Sequence, residues 1–365
     1  MKHFFQNAMA VADLSRGTVE RRSLPEEVLR AENTAPLSEI FPEAVILSAG
    51  SLTGSFAPAS GLLTAFADGR KTFLTGHEGR ALRMCGLDAL VIAGSSNAPL
   101  GLLLDEKGGS FCPVEPLLDV PSTRAALIRA ARTASSSGAD VNPHSLVTGP
   151  AAFLGCAASC LAQENGTVPR SADLALALAG RGLSGVCFCG NAGFVSPLPL
   201  DTPLRTAVPA QRVSRSNLAA VLKAAAGESV RADAVTPGRS LACFACPAPC
   251  GFWMSLGTEF VPCTSPEALA ALLKAGASEE QAAKILALGE KFGVDALGLT
   301  ALVQTSALPE SPQECAASAA SLPEQTRDTE LDALAEEVGV CPFFLKRFPA
   351  AQAALRAWQT GAIGN

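Results

Sequence analysis

Tyrosine is absent from the chain, and histidine occurs only three times in 365 residues, at His3, His77 and His144. That scarcity narrows the proton-transfer chemistry available, because histidine is the side chain that titrates near neutrality without help. No run of 18 or more apolar residues occurs, which excludes a bilayer-spanning helix. Basic residues are also in short supply. The net charge is −6 and the pI is near 5.3, so the basic face of a nucleic-acid binder is not expected. At the N-terminus, polar residues interrupt Met1-Lys2-His3-Phe4-Phe5-Gln6-Asn7, and Ala8-Met9-Ala10 is too short for an export signal. The sequence therefore predicts a cytoplasmic protein.

What is present is a hydrophobic fraction of 48% and twelve cysteines. A chain of this size can bury a core, or two domains' worth, without disulfides. A reducing compartment and a metal centre account better for the cysteines. Cys85, Cys112 and Cys315 read as small core hydrophobes. The same holds for Cys156/Cys160 and Cys187/Cys189, with a second metal site as the alternative. The segment Cys243-Phe244-Ala245-Cys246-Pro247-Ala248-Pro249-Cys250-Gly251 is different. Its C-x2-C-x3-C spacing lets one loop wrap three thiolates around a centre, with prolines stiffening the loop. A cubane [4Fe–4S] cluster or a structural zinc usually takes four cysteines. The distant candidate for the fourth is Cys341, in Val338-Gly339-Val340-Cys341-Pro342-Phe343-Phe344. A [4Fe–4S] cluster on these four is the favoured assignment. Zinc with Cys263 as fourth ligand, or a plain redox pair, are the alternatives.

Along the chain, Ala44–Leu47, Ala89–Ala93 and Leu100–Leu104 are short apolar runs bounded by Gly, Ser and Asn, as in a mixed sheet. Residues 123–134 predict a helix and 145–148 a strand. Prolines at 197, 199, 203 and 209 suggest a domain boundary. Beyond it helical signals dominate: an apolar periodic stretch over 216–225 and Ser265-Pro266-Glu267 as a helix start. A capping box of Ser278 and Gln281 opens a helix that should stop at Gly293. Residues 307–327 read as a surface linker, and closing helices are expected near 329–338 and 348–360. No internal repeat is apparent.

Several segments, in order, resemble the tungsten/molybdenum-pterin aldehyde:ferredoxin oxidoreductase family. They are Ala49–Gly61 (Ala-Gly-Ser-Leu-Thr-Gly-Ser-Phe-Ala-Pro-Ala-Ser-Gly), Gly86–Ile92, Thr148–Ala151, Ala179–Val186 (Ala-Gly-Arg-Gly-Leu-Ser-Gly-Val), the cysteine loop and Val338–Phe343. The resemblance implies an α+β fold. An N-terminal β-rich, two-sheet domain (1–205) would form the base for a pterin, followed by a reduced, mostly α-helical iron–sulfur domain (206–365) shortened around 301–330. It implies oxidation of an aldehyde or related carbonyl at a pterin-bound tungsten or molybdenum centre, with electrons passing through a [4Fe–4S] cluster to ferredoxin or another small carrier. It also implies pterin contacts at Arg181 and at Asp295, Gly298 and Leu299 of Asp295-Ala296-Leu297-Gly298-Leu299-Thr300. Glu336 stands at the aspartate's place in a second copy that ends at Cys341.

The chain departs from the family at defined points. The family's Gly-Gly-Arg-Gly segment is missing near residues 32–35, and its lysine is replaced within Cys189-Gly190-Asn191-Ala192. The Glu-Tyr-Glu element is reduced to Glu259-Phe260-Val261, and no histidine follows residue 144. Fewer fixed cations weaken the hold on anionic pterins, and Glu259 is left as the sole, weak candidate for a catalytic acid. The alternative reading is a degenerate paralogue that binds only the cluster and serves as an electron-relay or interaction subunit without catalysis of its own. Neither a nucleic-acid nor a membrane partner is expected, and a homodimer is open to the chain.

Overall fold

The computed structural model describes residues 6–31, 34–55, 57–114, 118–134, 143–192, 235, 238–247, 249–305, 307–323 and 328–359. The boundary expected at 197–209 and the helix expected at 216–225 lie outside the described residues. The fold is α+β, built on two six-stranded mixed sheets and a smaller three-stranded one.

The first sheet holds β1 (Met9–Asp13), β2 (Thr18–Arg22), β3 (Val45–Ala49), β4 (Leu63–Ala67), β5 (Arg70–Leu74) and β6 (Ala89–Ala93), in the order β2-β1-β6-β3-β4-β5. The second holds β7 (Leu100–Asp105), β8 (Gly108–Pro113), β9 (His144–Thr148), β10 (Leu161–Gln163), β11 (Gly166–Thr167) and β12 (Leu183–Phe188), in the order β8-β7-β12-β9-β10-β11. Strand by strand, the second sheet repeats the first. In each, a hairpin is followed by a three-stranded meander, and a last strand returns to lie parallel to the first and antiparallel to the third. Contrary to the sequence expectation, an internal repeat is therefore present. Its trace in sequence is faint because only the structural positions recur. Asp13 caps the β1–β2 turn and Asp105 the β7–β8 turn, each accepting two backbone amides through Oδ1. Gly86-Leu87 and Gly182-Leu183 lead into the returning strands.

Burial explains the strand composition. β3 is buried at every residue and β6 at all but its last, both being central strands covered on two faces, so they read as continuous apolar runs. The helices Glu78–Met84 and Ala172–Gly180 pack against strands of both sheets, and Leu82, Leu174 and Leu178 join Leu47, Leu90, Leu146 and Val186 in one core. Inside this core Arg83 and Asp88 form a fully buried ion pair, and Arg83 Nη2 also donates to the carbonyl of Gly50 at 2.8 Å.

The C-terminal part carries two further cores. In one, the helices Pro266–Lys274 and Glu279–Phe292 and the 3-10 helix Ala296–Gln304 pack on the hairpin β14 (Gly251–Leu256) and β15 (Glu259–Cys263), which β13 (Ser240–Leu241) extends. This hairpin was not anticipated. Gly257, at φ 61, makes its tight turn, the backbone region that glycine enters without steric cost. In the other core the helices Thr329–Val338, Pro342–Arg347 and Pro349–Gln359 pack against Leu52, Ala57, Ala59 and Leu62. Expected boundaries recur here. Ser265 and Ser278 cap their helices by accepting from Ala268 N and Gln281 N, and Gly293 ends the second helix at φ 71. The capping box is only half formed, since the Gln281 side chain donates to Val303 O instead. The expected linker 307–327 contains a helix, Pro312–Ser318, that Cys315 anchors in the core. No helix among the described residues is long and apolar enough to cross a membrane.

Candidate metal centre

The repeat in the sheets has a counterpart in the helices that dock on them. Helix Glu279–Phe292 ends at Gly293 and helix Thr329–Val338 at Gly339, both left-handed caps. Gly293 lies against Gly149 after β9, and Gly339 against Gly50 after β3, so closely that neither contact has room for a Cβ. Each cap is followed by a residue whose amide donates to the sheet domain: Asp295 N to Ala158 O at 2.8 Å, Cys341 N to Ala59 O at 3.1 Å. The segments Leu288-Gly289-Glu290-Lys291-Phe292-Gly293-Val294-Asp295 and Leu334-Ala335-Glu336-Glu337-Val338-Gly339-Val340-Cys341 are thus equivalent. In this register Asp295 stands where Cys341 stands, and Glu290 where Glu336 stands. The alignment that set Asp295 opposite Glu336 is shifted by five residues.

Cys341 is the N-cap of helix Pro342–Arg347, where the nearby amides of Phe344 and Phe343 favour its thiolate. Ala59, itself at φ 58, donates to Ala245 O at 2.9 Å. One backbone residue therefore ties Cys341 to the cysteine loop. The loop is further held by Phe244 N donating to Gly76 O at 2.9 Å and by Cys246 N donating to Cys243 O at 3.1 Å. Thr75 beside it favours the Cys243 thiolate slightly. Burial pushes the Cys243 thiol well above its ordinary range, and the neighbouring charges of Cys250, Cys341 and Cys246 push it further. Cys341 is raised by burial, with Cys250 and Cys246 adding to the shift. Cys250 is exposed and the other three are half-buried. Arg347 and two backbone amides favour the Cys250 thiolate.

The structure thus brings the four sequence-predicted cysteines into mutual electrostatic reach. Among the described residues, however, no three His, Cys, Asp or Glu side chains form a group able to hold a single metal ion. Zinc and a cubane cluster place different demands on the sulfurs. Tetrahedral zinc with Zn–S bonds of about 2.3 Å would draw its sulfurs to within ~4 Å of each other. In a cubane each cysteine binds its own iron, so the sulfurs stand further apart. Cys263 is buried in the neighbouring core, its thiol donating to Ser265 O at 3.7 Å.

The other candidates are not gathered here. Asp295 caps the 3-10 helix, accepting from Leu297 N at 3.0 Å and Arg170 N at 2.8 Å, so both its oxygens are engaged. Burial raises its pKa. Gly298 and Leu299 are packing positions: a Cβ on Gly298 would meet Ala158, and Leu299 is fully buried. Arg181 sits at the opposite end of the first sheet, beside Glu43 and Ala93, donating to Ala177 O and Glu43 O. Glu259 is exposed at the hairpin turn, opposite Leu256. Glu336 is buried and paired with Lys71, but its Oε1 has no hydrogen-bond partner.

Sequence reasoning missed the polar group under the cysteine loop. His77 stacks on His144 with ring centroids 5.9 Å apart, His144 pairs with Glu164 at 3.0 Å, and Arg80 lies over the Phe244 ring. Burial lifts Glu78 to about 7. Glu290, which accepts from both the amide and hydroxyl of Thr167, is also lifted to about 7 by burial. The four matching positions of the Glu290 and Glu336 segments (Leu, Glu, Gly and Val) were the available signal for Glu290.

No protein-family model matches the chain, and no curated protein matches it in sequence. Its structure is similar to a chain of the active-site complex BamBC of benzoyl coenzyme A reductase, solved with 1,5-dienoyl-CoA. The TM-score is 0.64 at 14% identity over 93% of this chain and 62% of that one. This chain therefore spans less than two thirds of that neighbour's length, and at such identity the likeness is one of fold.

Proposed function

We propose that the chain is an iron–sulfur redox protein on a shortened scaffold of the tungsten/molybdenum-pterin aldehyde:ferredoxin oxidoreductase type. Cys243, Cys246, Cys250 and Cys341 hold a [4Fe–4S] cluster, which supplies reversible one-electron transfer. The observation that carries this reading is the meeting of Cys341 with the cysteine loop across Ala59. The chain's own groups would tune the centre. The amides of Phe343 and Phe344 at the helix start favour negative charge on Cys341, Arg347 offsets negative charge at Cys250, and the exposure of Cys250 gives a carrier such as ferredoxin an approach. A fold shared with a reductase active-site complex supports a redox role at the level of architecture.

A second reading adds catalysis, and one observation favours it. Two equivalent helix ends present carboxylates, Glu336 buried and Glu290 half-buried, and Glu336 Oε1 has no partner. An acceptor of that kind suits the N–H groups of a pterin. A tungsten or molybdenum pterin held there would supply two-electron oxidation of an aldehyde or related carbonyl. The positions of Arg181 and Asp295 do not support it: the first faces away, and the second has both oxygens on backbone amides.

Metal analysis of anaerobically purified protein separates the readings. Iron filling one cubane per chain without tungsten or molybdenum supports the electron carrier. The same iron with either heavy metal supports the oxidoreductase. Zinc without iron overturns both.

A further inference from the structure

Outside the metal centre, the end of β12 brings a second set of thiols together. Cys187 is fully buried on the face that packs against Leu103, Val114 and Leu127, while Phe188 points into the other core. Cys189 follows on the same face as Cys187, half-buried, its amide donating to Leu104 O at 2.7 Å. The Cys187 and Cys189 sulfurs lie 3.7 Å apart, in contact. Residues two apart along a strand have Cα atoms about 6.6 Å apart, within the span of about 4.4–6.8 Å that a disulfide bridges. The bond also requires the Cβ atoms to come within about 3.5–4.5 Å, so closing it takes a bend of the chain at Cys189, the first residue past β12, as well as side-chain rotation.

The two thiols are unequal. A hydrogen bond from Cys187 stabilises the Cys189 thiolate and pulls its pKa below the ordinary value, although Asp105 and Glu106 oppose this. The Cys187 thiol is held protonated by that bond and by burial. Cys85 and Cys112 feel the charge of Cys189 but are committed elsewhere. Cys85 donates to Leu104 O at 3.4 Å and burial lifts its pKa to about 12; Cys112 donates to Gly101 O at 3.6 Å.

We propose that Cys187 and Cys189 form a dithiol–disulfide couple that exchanges with small-molecule disulfides, Cys189 attacking and Cys187 resolving. The Cys189 thiolate attacks one sulfur of the disulfide RSSR, the S–S bond breaks, and RS⁻ leaves with the electron pair. A mixed disulfide now joins Cys189 to the second RS group. Cys187 gives up its proton and attacks the Cys189 sulfur, expelling the second RS⁻, and both leaving groups are protonated. Overall, dithiol and RSSR become the protein disulfide and two RSH. The partially exposed attacker beside a buried resolver is the arrangement such exchange needs.

Trypsin isolates the pair, because residues 182–205 lie between arginines and contain Cys187 and Cys189 as their only cysteines. Reduced, cluster-loaded protein is incubated anaerobically with oxidised glutathione, quenched in acid, alkylated, digested and weighed. The expected major peptide carries no alkyl group and is lighter by two hydrogen atoms. Cys187→Ser should accumulate a glutathione adduct on Cys189, and Cys189→Ser should form neither adduct nor disulfide. Both thiols alkylated, a stable adduct in the unmutated protein, or Cys189 linked to Cys85 or Cys112 would overturn the proposal. A measurement free of variants adds a check. In native protein Cys189 should alkylate faster than the equally half-buried Cys112, and the reverse order also overturns it.

Discussion

Cys341 donates its backbone amide to the carbonyl of Ala59 at 3.1 Å, and that bond joins the last helical unit to the rim of the first sheet. Ala59 passes the connection on through its own amide to Ala245, in the middle of the cysteine loop. Two stretches nearly a hundred residues apart are thereby held at one place by backbone alone. These two bonds set the backbone of the cysteine loop beside that of Cys341.

On the proposed cluster assignment, replacing Cys341 by alanine should remove the iron while leaving most of the fold. Cys341→Ala and Cys243→Ala are expected to lose the greater part of the visible iron–sulfur absorbance and of the iron per chain. Cys263→Ala, whose sulfur sits in the adjoining core, should keep both. Iron retained in Cys341→Ala but lost in Cys263→Ala would reassign the fourth ligand.

The helix caps allow a comparison of backbone strain with packing. Gly339 lies at φ 74, and a Cβ there would run into Thr53; Gly17 lies at φ 66 with nothing within 4 Å. The left-handed conformation alone costs a residue with a Cβ about 1–2 kcal/mol. Gly17→Ala should lose about that much in urea unfolding. Gly339→Ala should lose clearly more, because the helix must move away from β3. Equal losses would show that the contact at Gly50 is loose.

Arg83 and Asp88 offer a test of a buried charge pair. Asp88 also accepts the amides of Gln6 and Ala8, so it anchors the N-terminal segment as well as the arginine. Burial lowers the pKa of Arg83 to about 9, a measure of how little water reaches it. Removing one partner of a buried pair typically costs about 3–5 kcal/mol, because the other charge is left uncompensated. Asp88→Ala should destabilise by about that amount, measured by denaturant midpoint. A loss well under ~1 kcal/mol would mean that water enters the site.

Much of the base was legible in the sequence, and the reasons are physical. β3, β6, β7 and β9 are short, apolar and bounded by residues that break strands, so their composition alone marks them. Ser265, Ser278 and Gly293 signalled helix ends through local hydrogen bonding and left-handed geometry, which need no tertiary context. The repeat escaped notice because topology constrains burial rather than identity: β6 reads Ala-Leu-Val-Ile-Ala and β12 Leu-Ser-Gly-Val-Cys-Phe. The hairpin 251–263 was hidden because its strands mix exposed and buried residues without a clean apolar run, and only a lone Gly257 marks its turn. The cysteine loop and the Cys341 segment were singled out by spacing and resemblance, and their backbones lie side by side across Ala59. The cation and carboxylate assignments were less legible, because whether a side chain reaches a site depends on which end of a strand carries it, as Arg181 illustrates.

Glu290 gives a pH dependence whose direction follows from its burial. Its carboxyl is lifted from 4.5 to about 7 because the ionised form is poorly solvated, even with the Thr167 amide and hydroxyl bonded to it. The folded state thus keeps a proton that the unfolded chain releases near its ordinary value. Where the folded state binds more protons, stability falls as pH rises. The contribution is fully present below the unfolded value and is lost progressively up to about pH 7. A shift of this size is worth about 3 kcal/mol. Glu290→Gln keeps an oxygen for Thr167 and cannot ionise. It should match the unmutated protein near about pH 5 and exceed it by ~1–3 kcal/mol near about pH 8. Denaturant curves at both pH values check this. A Glu290→Gln protein that is less stable at the higher pH would show that the folded protein favours the ionised carboxylate, through an interaction with Arg124 strong enough to outweigh burial.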